Sequence, residues 1–374
     1  MFKGDTLRMS KLRIATVFSG IGAFEQALKK LNRDYEIVFA CDNGEREIKE
    51  SSQDIFDYAK KNNLNSKELK AYVTSLYDLT KKPNRMKESY FANYDIDDNR
   101  WYEDIRFING DEYNNKVDLF VGGSPCQSFS IIGKKAGLED ARGTLFYEYA
   151  RLVNQMQPKA FIYENVPGML MHDHGNTWKT IKEIFESLGY KLHVQILNAK
   201  DYGIPQDRKR LFVVGLKDKN LNFEFPKPIE LTTTMFDYLE GNVATRFYLG
   251  KKGFEFVTNP KYKNRARINH KIIQTEKANQ QFNWNGDFVF EPLSKEKHNE
   301  EILDRAYIGE FNGQKGVIRQ LTHRECMRLM GFPDTYKIVV PNVWAYRQAG
   351  NSIVVNVLEA IVKELLKTLE ANKK

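Results

Sequence analysis

The first 45 residues constrain the fold most. Leu12 to Phe18 is an apolar run rich in β-branched residues, and Ser19-Gly20-Ile21-Gly22 has the composition of a tight turn. Ala23 to Leu31 has helical spacing, and Tyr35 to Cys41 is a second apolar run that ends at Asp42. Strand, glycine turn, helix and strand in that order form a βαβ unit, which predicts a parallel sheet with helices on both faces. The Gly20-x-Gly22 turn lets the backbone approach a ligand beside a helix N-terminus. Asp42 follows Gly22 at a spacing of about 20 residues, where a carboxylate accepts hydrogen bonds from a ribose diol. Glu25 stands in place of the third glycine of the dinucleotide fingerprint, which points to an adenosine ligand without a clear pyrophosphate cradle. A plain tight turn with a surface Asp is the alternative reading at this stage.

Alternating units resume further on. Val117 to Val121 reads as strand, Leu145 to Met156 as helix, Ala160 to Tyr163 as strand and Trp178 to Leu188 as helix. Lys191 to Leu197 and Arg210 to Leu216 read as the next strands. Between these halves, Glu45 to Arg100 is polar and helix-prone, with a break at Lys60-Lys61-Asn62-Asn63. Past Phe225-Pro226-Lys227-Pro228 the period is lost up to about Gly316, as expected for a separate, irregular, β-leaning domain. Helical pattern returns at Thr322 to Met330 and at Ile353 to Leu369.

A chain of 374 residues with 41% hydrophobic and 28% charged residues lies in the ordinary globular range. No apolar run reaches the roughly 18 residues that cross a bilayer, and Met1 to Arg13 has no apolar signal core, so a cytoplasmic protein without membrane contact is expected. The three cysteines, Cys41, Cys126 and Cys326, are scattered, which argues against a disulfide framework or a zinc site. His172 and His174 flank Asp173 without a third ligand in sight, and a polar loop is the better reading.

The net charge of +8 is unevenly placed. Val243 to Gly286 holds nine Lys and Arg against Glu255 and Glu276, interleaved with Phe247, Tyr248, Phe254, Phe256 and Tyr262. A solvated charged face is one meaning of such a run. A nucleic acid, with its phosphates and readable edges, is the other.

The strongest local signal is Gly122-Gly123-Ser124-Pro125-Cys126-Gln127-Ser128-Phe129-Ser130. A Cys after Pro at the end of an apolar strand sits where open α/β sheets bind ligands. A glycine- and serine-rich loop can supply the backbone donors that a nucleophilic thiolate needs. Lys134, Lys135 and Arg142 in the continuation suit phosphates. Glu164, in Tyr163-Glu164-Asn165-Val166, also falls at a strand end, where a partly buried carboxyl can protonate or hydrogen-bond a ring nitrogen. A solvated loop Glu is the bland alternative. Arg208 and Arg210, at i and i+2 of a strand, are expected to face one anion or carbonyl together.

Taken in order, these blocks resemble the DNA (cytosine-5)-methyltransferases, especially those of bacterial restriction–modification systems, over nearly the whole chain. Phe18-Ser-Gly20-Ile21-Gly22 resembles the cofactor turn. Asp42, followed by Asn43, takes the ribose carboxylate position, where the family more often has Glu. Asp104-Ile105 resembles the adenine-contacting pair, and Gly123-Ser-Pro125-Cys126-Gln127 the nucleophile block, with Arg142-Gly-Thr-Leu145-Phe following. Glu164-Asn165-Val166 matches the acid block and Gln206-x-Arg208-x-Arg210 the arginine block. Arg319 to Asp334 fits the block after the recognition domain. Gln348-Ala-Gly-Asn351-Ser352 fits the last block, which returns to the cofactor.

The resemblance implies a Rossmann-like, class I S-adenosylmethionine-dependent α/β fold over residues 1–217. A smaller, irregular, β-rich target recognition domain over 218–345 and a segment, 346–374, that completes the catalytic domain are implied with it. It implies S-adenosylmethionine as cofactor, S-adenosylhomocysteine as product, no metal, and double-stranded DNA as partner of a monomeric bacterial enzyme. A restriction endonuclease acting on the same site, but not a stable subunit, is a further implied partner. Cys126, Glu164, Arg208 and Arg210 are the implied catalytic set, with Arg208 on the cytosine O2. Gln127, Ser130, Lys134, Lys135, Arg142, Arg246, Arg265 and Arg267 are candidates for DNA contacts. The segment 45–100 is longer than the family pattern and reads as a helical insertion on which the cofactor site is not expected to depend. Rival readings are an RNA cytosine methyltransferase, an inactive DNA-binding relative and a nicotinamide oxidoreductase. The intact Cys126, Glu164 and Arg208 set and the missing third glycine disfavour the last two.

Overall fold

In the computed structural model, residues 11–124, 145–279, 284–296 and 298–371 are described. The chain divides into two compact units, one formed by Met1–Ile196, Arg210–Pro226 and Ile361–Lys374, the other by Leu197–Lys209 and Lys227–Ala360.

The first unit is built on the strands β1 (Leu12–Val17), β2 (Tyr35–Cys41), β3 (Trp101–Tyr102), β4 (Leu119–Gly122) and β5 (Ala160–Asn165). Then come β6 (Lys191–Asn198) and β8 (Lys209–Leu216), with the two-residue β7 (Gln206–Asp207) of the second unit between them in the chain. All but β7 join one sheet in the order β3-β2-β1-β4-β5-β8-β6. The central strands are apolar almost throughout because both faces are covered. Helices α1 (Ala23–Lys30), α5 (Leu145–Met156) and α6 (Asn176–Ser187) follow the expected bounds to within two residues. In α5 the buried Phe146, Tyr149, Ala150, Val153 and Met156 recur at helical spacing. They bring Tyr149 flat against Phe120, with ring centroids 4.7 Å apart, and its hydroxyl onto the Ile162 carbonyl.

Two features depart from the parallel sheet read from the sequence. Strand β3, only two residues long, pairs parallel with β2 at one edge. It escaped notice because two residues show no alternation. Strand β8 runs antiparallel to β5, with Glu164 opposite Phe212 and Asn165 opposite Leu211. A continuous apolar run reads the same in either direction, so the sequence carried no sign of the reversal. The segment after Glu45 forms three helices, α2 (Ser52–Lys61), α3 (Ser66–Leu79) and α4 (Arg85–Asn93). Ser51, Asn65 and Asn84 cap them, accepting from the amides of Asp54, Glu68 and Lys87. The break at Asn62-Asn63 is the end of α2, with Asn63 in the left-handed region.

The second unit holds α7 (Lys251–Thr258), β9 (Ala266–Ile268), β10 (Ile273–Gln274) and β11 (Gly286–Pro292). It continues with α8 (Glu300–Arg305), β12 (Gly309–Phe311), β13 (Gln314–Gln320), α9 (His323–Leu329) and α10 (Asn342–Asn351). A four-stranded sheet in the order β12-β13-β11-β9 has its own core of Leu249, Phe254, Val257, Ala266, Phe288, Phe290 and Ile318. Arg319 is fully buried between Glu291 and Glu325, at 2.7 and 2.9 Å. Helix α11 (Val355–Ala371) ends the described chain. No helix among the described residues is long and apolar enough to cross a membrane.

At the start of β1, Arg13 donates twice from its guanidinium to Asp118, and Lys159 reaches the same carboxylate at 2.7 Å. Burial alone would raise the Asp118 carboxyl, but these hydrogen bonds outweigh it and hold the group at about 2. Because the folded value lies below that of an unfolded Asp, the stabilisation is present above about pH 4 and fades as the pH falls through about 2. Asp118→Asn is therefore expected to lower stability by about 1–2 kcal/mol at pH 7, with the gap from wild type closing towards pH 2. Urea titrations at a series of pH values check this, and a gap that stays constant with pH would rule the ion pairs out as its cause.

Candidate functional site

The turn after β1 takes three residues into the left-handed region: Phe18 at φ 52°, Gly20 at 55° and Gly22 at 78°. Glycine carries that conformation without strain; Phe18 does not, and is held there by its neighbours. Ser19 Oγ accepts the Cys41 amide at 3.1 Å, tying the turn to the end of β2. Asp42 completes the link, accepting the amide of Gly20 on Oδ2 at 2.9 Å and that of Gly44 on Oδ1 at 2.8 Å. Burial pushes the Asp42 carboxyl above its usual range despite both amides, so further donors to its charged form would be favourable.

Each Asp42 oxygen takes one bond from these amides and keeps acceptor capacity. A Cβ placed on Gly20 would meet nothing nearer than the Phe18 carbonyl at 4.0 Å, so the space over the turn is open. A largely buried carboxylate with spare acceptor capacity beside an open glycine turn fits the ribose of an adenosyl cofactor. Asn43 shapes the loop beyond, its side chain bonded to the Glu45 amide and the Arg46 carbonyl. Ile21 is buried, Leu145 opens α5 partly buried against the core, and Ile105 lies within that core. The Asp104 carboxylate is already well supplied with donors: the Arg106 backbone and guanidinium, and the Tyr77 hydroxyl at 2.9 Å.

The second cluster lies at the end of β5. Glu164 is opposite Phe212 across the antiparallel pair, so Arg210, two residues before Phe212, projects from the same face. Arg210 Nε reaches Glu164 Oε1 at 3.1 Å, and both side chains are mostly buried. Gly123, past the end of β4, is held tightly against this residue. A Cβ there would lie 2.4 Å from the Glu164 carbonyl oxygen and 3.0 Å from Oε2. The buried Asn165 amide donates to the Ser124 carbonyl at 3.0 Å, and Ser124 Oγ lies 2.6 Å from the Tyr163 hydroxyl. Pro125, Cys126, Gln127, Ser130, Lys134, Lys135 and Arg142 lie outside the described residues.

The two arginines do not share a target as the i, i+2 spacing suggested. Arg208 falls between β7 and β8, is only 3% exposed, and donates to the backbone carbonyls of Glu276, Gly350 and Ser352. Its guanidinium therefore braces backbone in the second unit, whereas Arg210 is the arginine beside Glu164. Asn351 closes α10, and the Ser352 hydroxyl donates to the Ile353 carbonyl at 3.2 Å. Among the candidate DNA contacts, Arg246 and Arg265 are exposed and lie over the rings of Phe247 and Phe256. Arg267 instead turns inward, donating to the Ile272 carbonyl at 2.8 Å with Nε 3.6 Å from Asp287.

Sequence reasoning missed three residues of the insertion that reach the cofactor turn and Asp42. Tyr90 donates to Glu25 Oε1 at 2.5 Å, Tyr94 donates to the Gly22 carbonyl at 2.6 Å, and Asn84 donates to the Asp42 carbonyl at 2.8 Å. The one available signal was Glu25 itself, because an acid on the core side of a helix needs a buried donor. Cys41 and Cys326 are buried thiols not joined in a disulfide, and burial raises both well above their usual value. His172 belongs to a short polar turn, with Nδ1 2.6 Å from Thr177 Oγ1. Among the described residues no group of three or more His, Cys, Asp or Glu could hold a metal.

The family described as C-5 cytosine-specific DNA methylase matches residues 51–367. The chain is 36% identical to the Type II methyltransferase M1.ScrFI of Lactococcus lactis subsp. cremoris over 261 residues, 69% of this chain and 64% of that protein. It is 37% identical to the Type II methyltransferase M.HpaII of Haemophilus parainfluenzae over 268 residues, 68% of this chain and 73% of the other. Among solved structures, the S. pombe Dnmt2 methyltransferase shares the fold with a TM-score of 0.65 at 19% identity, covering 96% of this chain and 99% of that one. The seven-stranded sheet, with β8 antiparallel to β5, fits the class I methyltransferase fold. The chain belongs to the C-5 cytosine-specific DNA methylases, the family of DNA (cytosine-5)-methyltransferases.

Proposed function

We propose that this protein methylates carbon-5 of a cytosine within a specific duplex DNA sequence, with S-adenosylmethionine as methyl donor. The observation that carries this reading is the buried Glu164–Arg210 pair packed on Gly123, three residues before Cys126 in the chain. When bound, S-adenosylmethionine supplies an electrophilic methyl group on a sulfonium. Gly20, Gly22 and Asp42 would hold its adenosyl part.

Carbon-5 of cytosine is a poor nucleophile, so the chain's own groups must first enrich the ring. The Cys126 thiolate adds to carbon-6, and Glu164 hydrogen-bonds or protonates the N3 edge, where the displaced electrons collect. Arg210 fixes the Glu164 carboxyl in that orientation. Once carbon-5 carries the methyl group, loss of its proton expels Cys126 and restores the ring. A base stacked in a duplex cannot present carbon-6 to a thiolate, so the target is flipped out at a cost of a few kcal/mol.

Lys134, Lys135 and Arg142 suit the phosphates around the target. The second unit, with Arg246 and Arg265 exposed beside aromatic rings, supplies the groups that read base edges. Arg267, paired inside the fold, does not join them. The Type II methyltransferase relatives favour a protective role opposite a restriction endonuclease of the same specificity.

Duplex DNA of random sequence containing 5-fluorocytosine tests the chemistry, because fluorine cannot leave as the proton does. With S-adenosylmethionine the wild type is expected to become covalently trapped, and Cys126→Ala is expected to bind the same DNA without trapping. Trapping on fluorinated RNA alone would change the substrate class, and trapping in Cys126→Ala would sink the mechanism. Separately, Asp42→Ala should weaken S-adenosylmethionine binding roughly tenfold while leaving DNA affinity near wild type. Calorimetry with the cofactor and a DNA titration of the same folded variant check this, and equal loss of both affinities would refute the ribose assignment.

A further inference from the structure

We propose that the insertion is a built-in brace of the cofactor site, with Tyr90, Tyr94 and Asn84 as positioning residues for S-adenosylmethionine. This rests on the reading of Gly20, Gly22 and Asp42 as the groups that hold the adenosyl part. It reverses the expectation that the cofactor site is independent of the segment 45–100.

The first grip is on the turn from below. Glu25, in the first turn of α1, is 1% exposed, and its Oε1 accepts both Tyr90 Oη at 2.5 Å and Thr16 Oγ1 at 3.1 Å. Thr16 Oγ1 in turn lies 2.8 Å from Ser19 Oγ, the atom that accepts the Cys41 amide. A continuous polar chain therefore runs from α4 through α1 and β1 to the turn and the end of β2. Replacing the third glycine of the fingerprint by Glu25 leaves a buried carboxylate, and the insertion supplies its partner.

The second grip is on Gly22. The Tyr94 ring occupies the place where a side chain would stand, only 2.1 Å from a Cβ on that glycine, while its hydroxyl bonds the Gly22 carbonyl at 2.6 Å. Lys29 of α1 closes the seam, donating to the Asn93 carbonyl and lying 4.6 Å from the centre of the Tyr94 ring.

The third grip is on Asp42. Asn84 caps α4 through Oδ1, and its amide nitrogen is left to donate to the Asp42 carbonyl and to Glu103 Oε2, each at 2.8 Å. One side chain thus fixes the start of α4 relative to the ribose carboxylate. The turn, strained at Phe18, needs such support if it is to be formed before the ligand arrives, and a preformed turn loses less entropy on binding.

The test is calorimetry of S-adenosylhomocysteine binding to the full chain and to Tyr90→Phe and Tyr94→Phe, with Tyr58→Ala on the exposed face of α2 as control. The two hydroxyl deletions are expected to weaken binding roughly 5- to 20-fold, and the control to stay within about twofold. The KM for S-adenosylmethionine should rise by the same factor. The kcat at saturating cofactor and the DNA affinity should remain near wild type, a split that general loosening of the fold does not produce. Wild-type affinity in both hydroxyl variants overturns the proposal. So does a loss of cofactor affinity, DNA affinity and kcat in parallel, or an equal loss in Tyr58→Ala. A wild type that binds no S-adenosylhomocysteine would instead overturn the cofactor reading on which the proposal stands.

Discussion

Strand β8 runs against β5 while the other paired strands of the sheet with determined register run parallel, and the acid cluster depends on that one reversal. Parallel neighbours bring like ends together, so a parallel β8 would have left Arg210 at the far edge of the sheet from Glu164. The antiparallel pair instead brings the first residues of β8 to the last residues of β5. Register does the rest, since Glu164 opposite Phe212 puts Arg210 on the same face at 3.1 Å. A mostly buried carboxylate with a fixed cationic partner keeps one orientation. Gly123 then lets the chain leaving β4 pass against that carboxylate with no side chain between.

The glycine turn follows a different logic. Asp42 beside it is held by backbone amides on each side, so its geometry comes from the turn rather than from a charged partner. The turn is in a conformation that L residues disfavour at Phe18, and the cost is met by packing and hydrogen bonds around it. Tyr90, Tyr94 and Asn84 add hydrogen bonds to Glu25, Gly22 and Asp42 from 42 to 72 residues further along the chain. A polar segment of capped helices is in this way bonded to the turn, to α1 and to Asp42.

In the second unit, buried charge is used for architecture. Arg319 lies between Glu291 and Glu325, and Glu325 also accepts the Thr322 amide in a capping box. The block from Arg319 to Asp334 thereby ties the last strand of the small sheet to helix α9. Arg208 serves in the same manner, holding three backbone carbonyls. Such arginines are costly to bury, and removing one partner would strand the other.

Most strands and helices of the first unit, the glycine turn, and the places of Asp42 and Glu164 at strand ends were legible in the sequence because each is a local pattern of spacing and residue type. The ordered motifs further named the family, and the insertion stood out as polar and helical. What the sequence left open was direction and partnership. The sense of β8, the separate duties of Arg208 and Arg210, the inward turn of Arg267 and the grip of Tyr90 on Glu25 all depend on residues far apart in the chain. Periodicity records which face of an element is apolar, but not which element lies opposite or which way it runs. Those were decided only when burial left each polar group in the core to find a partner, and the fold determined which partner was in reach.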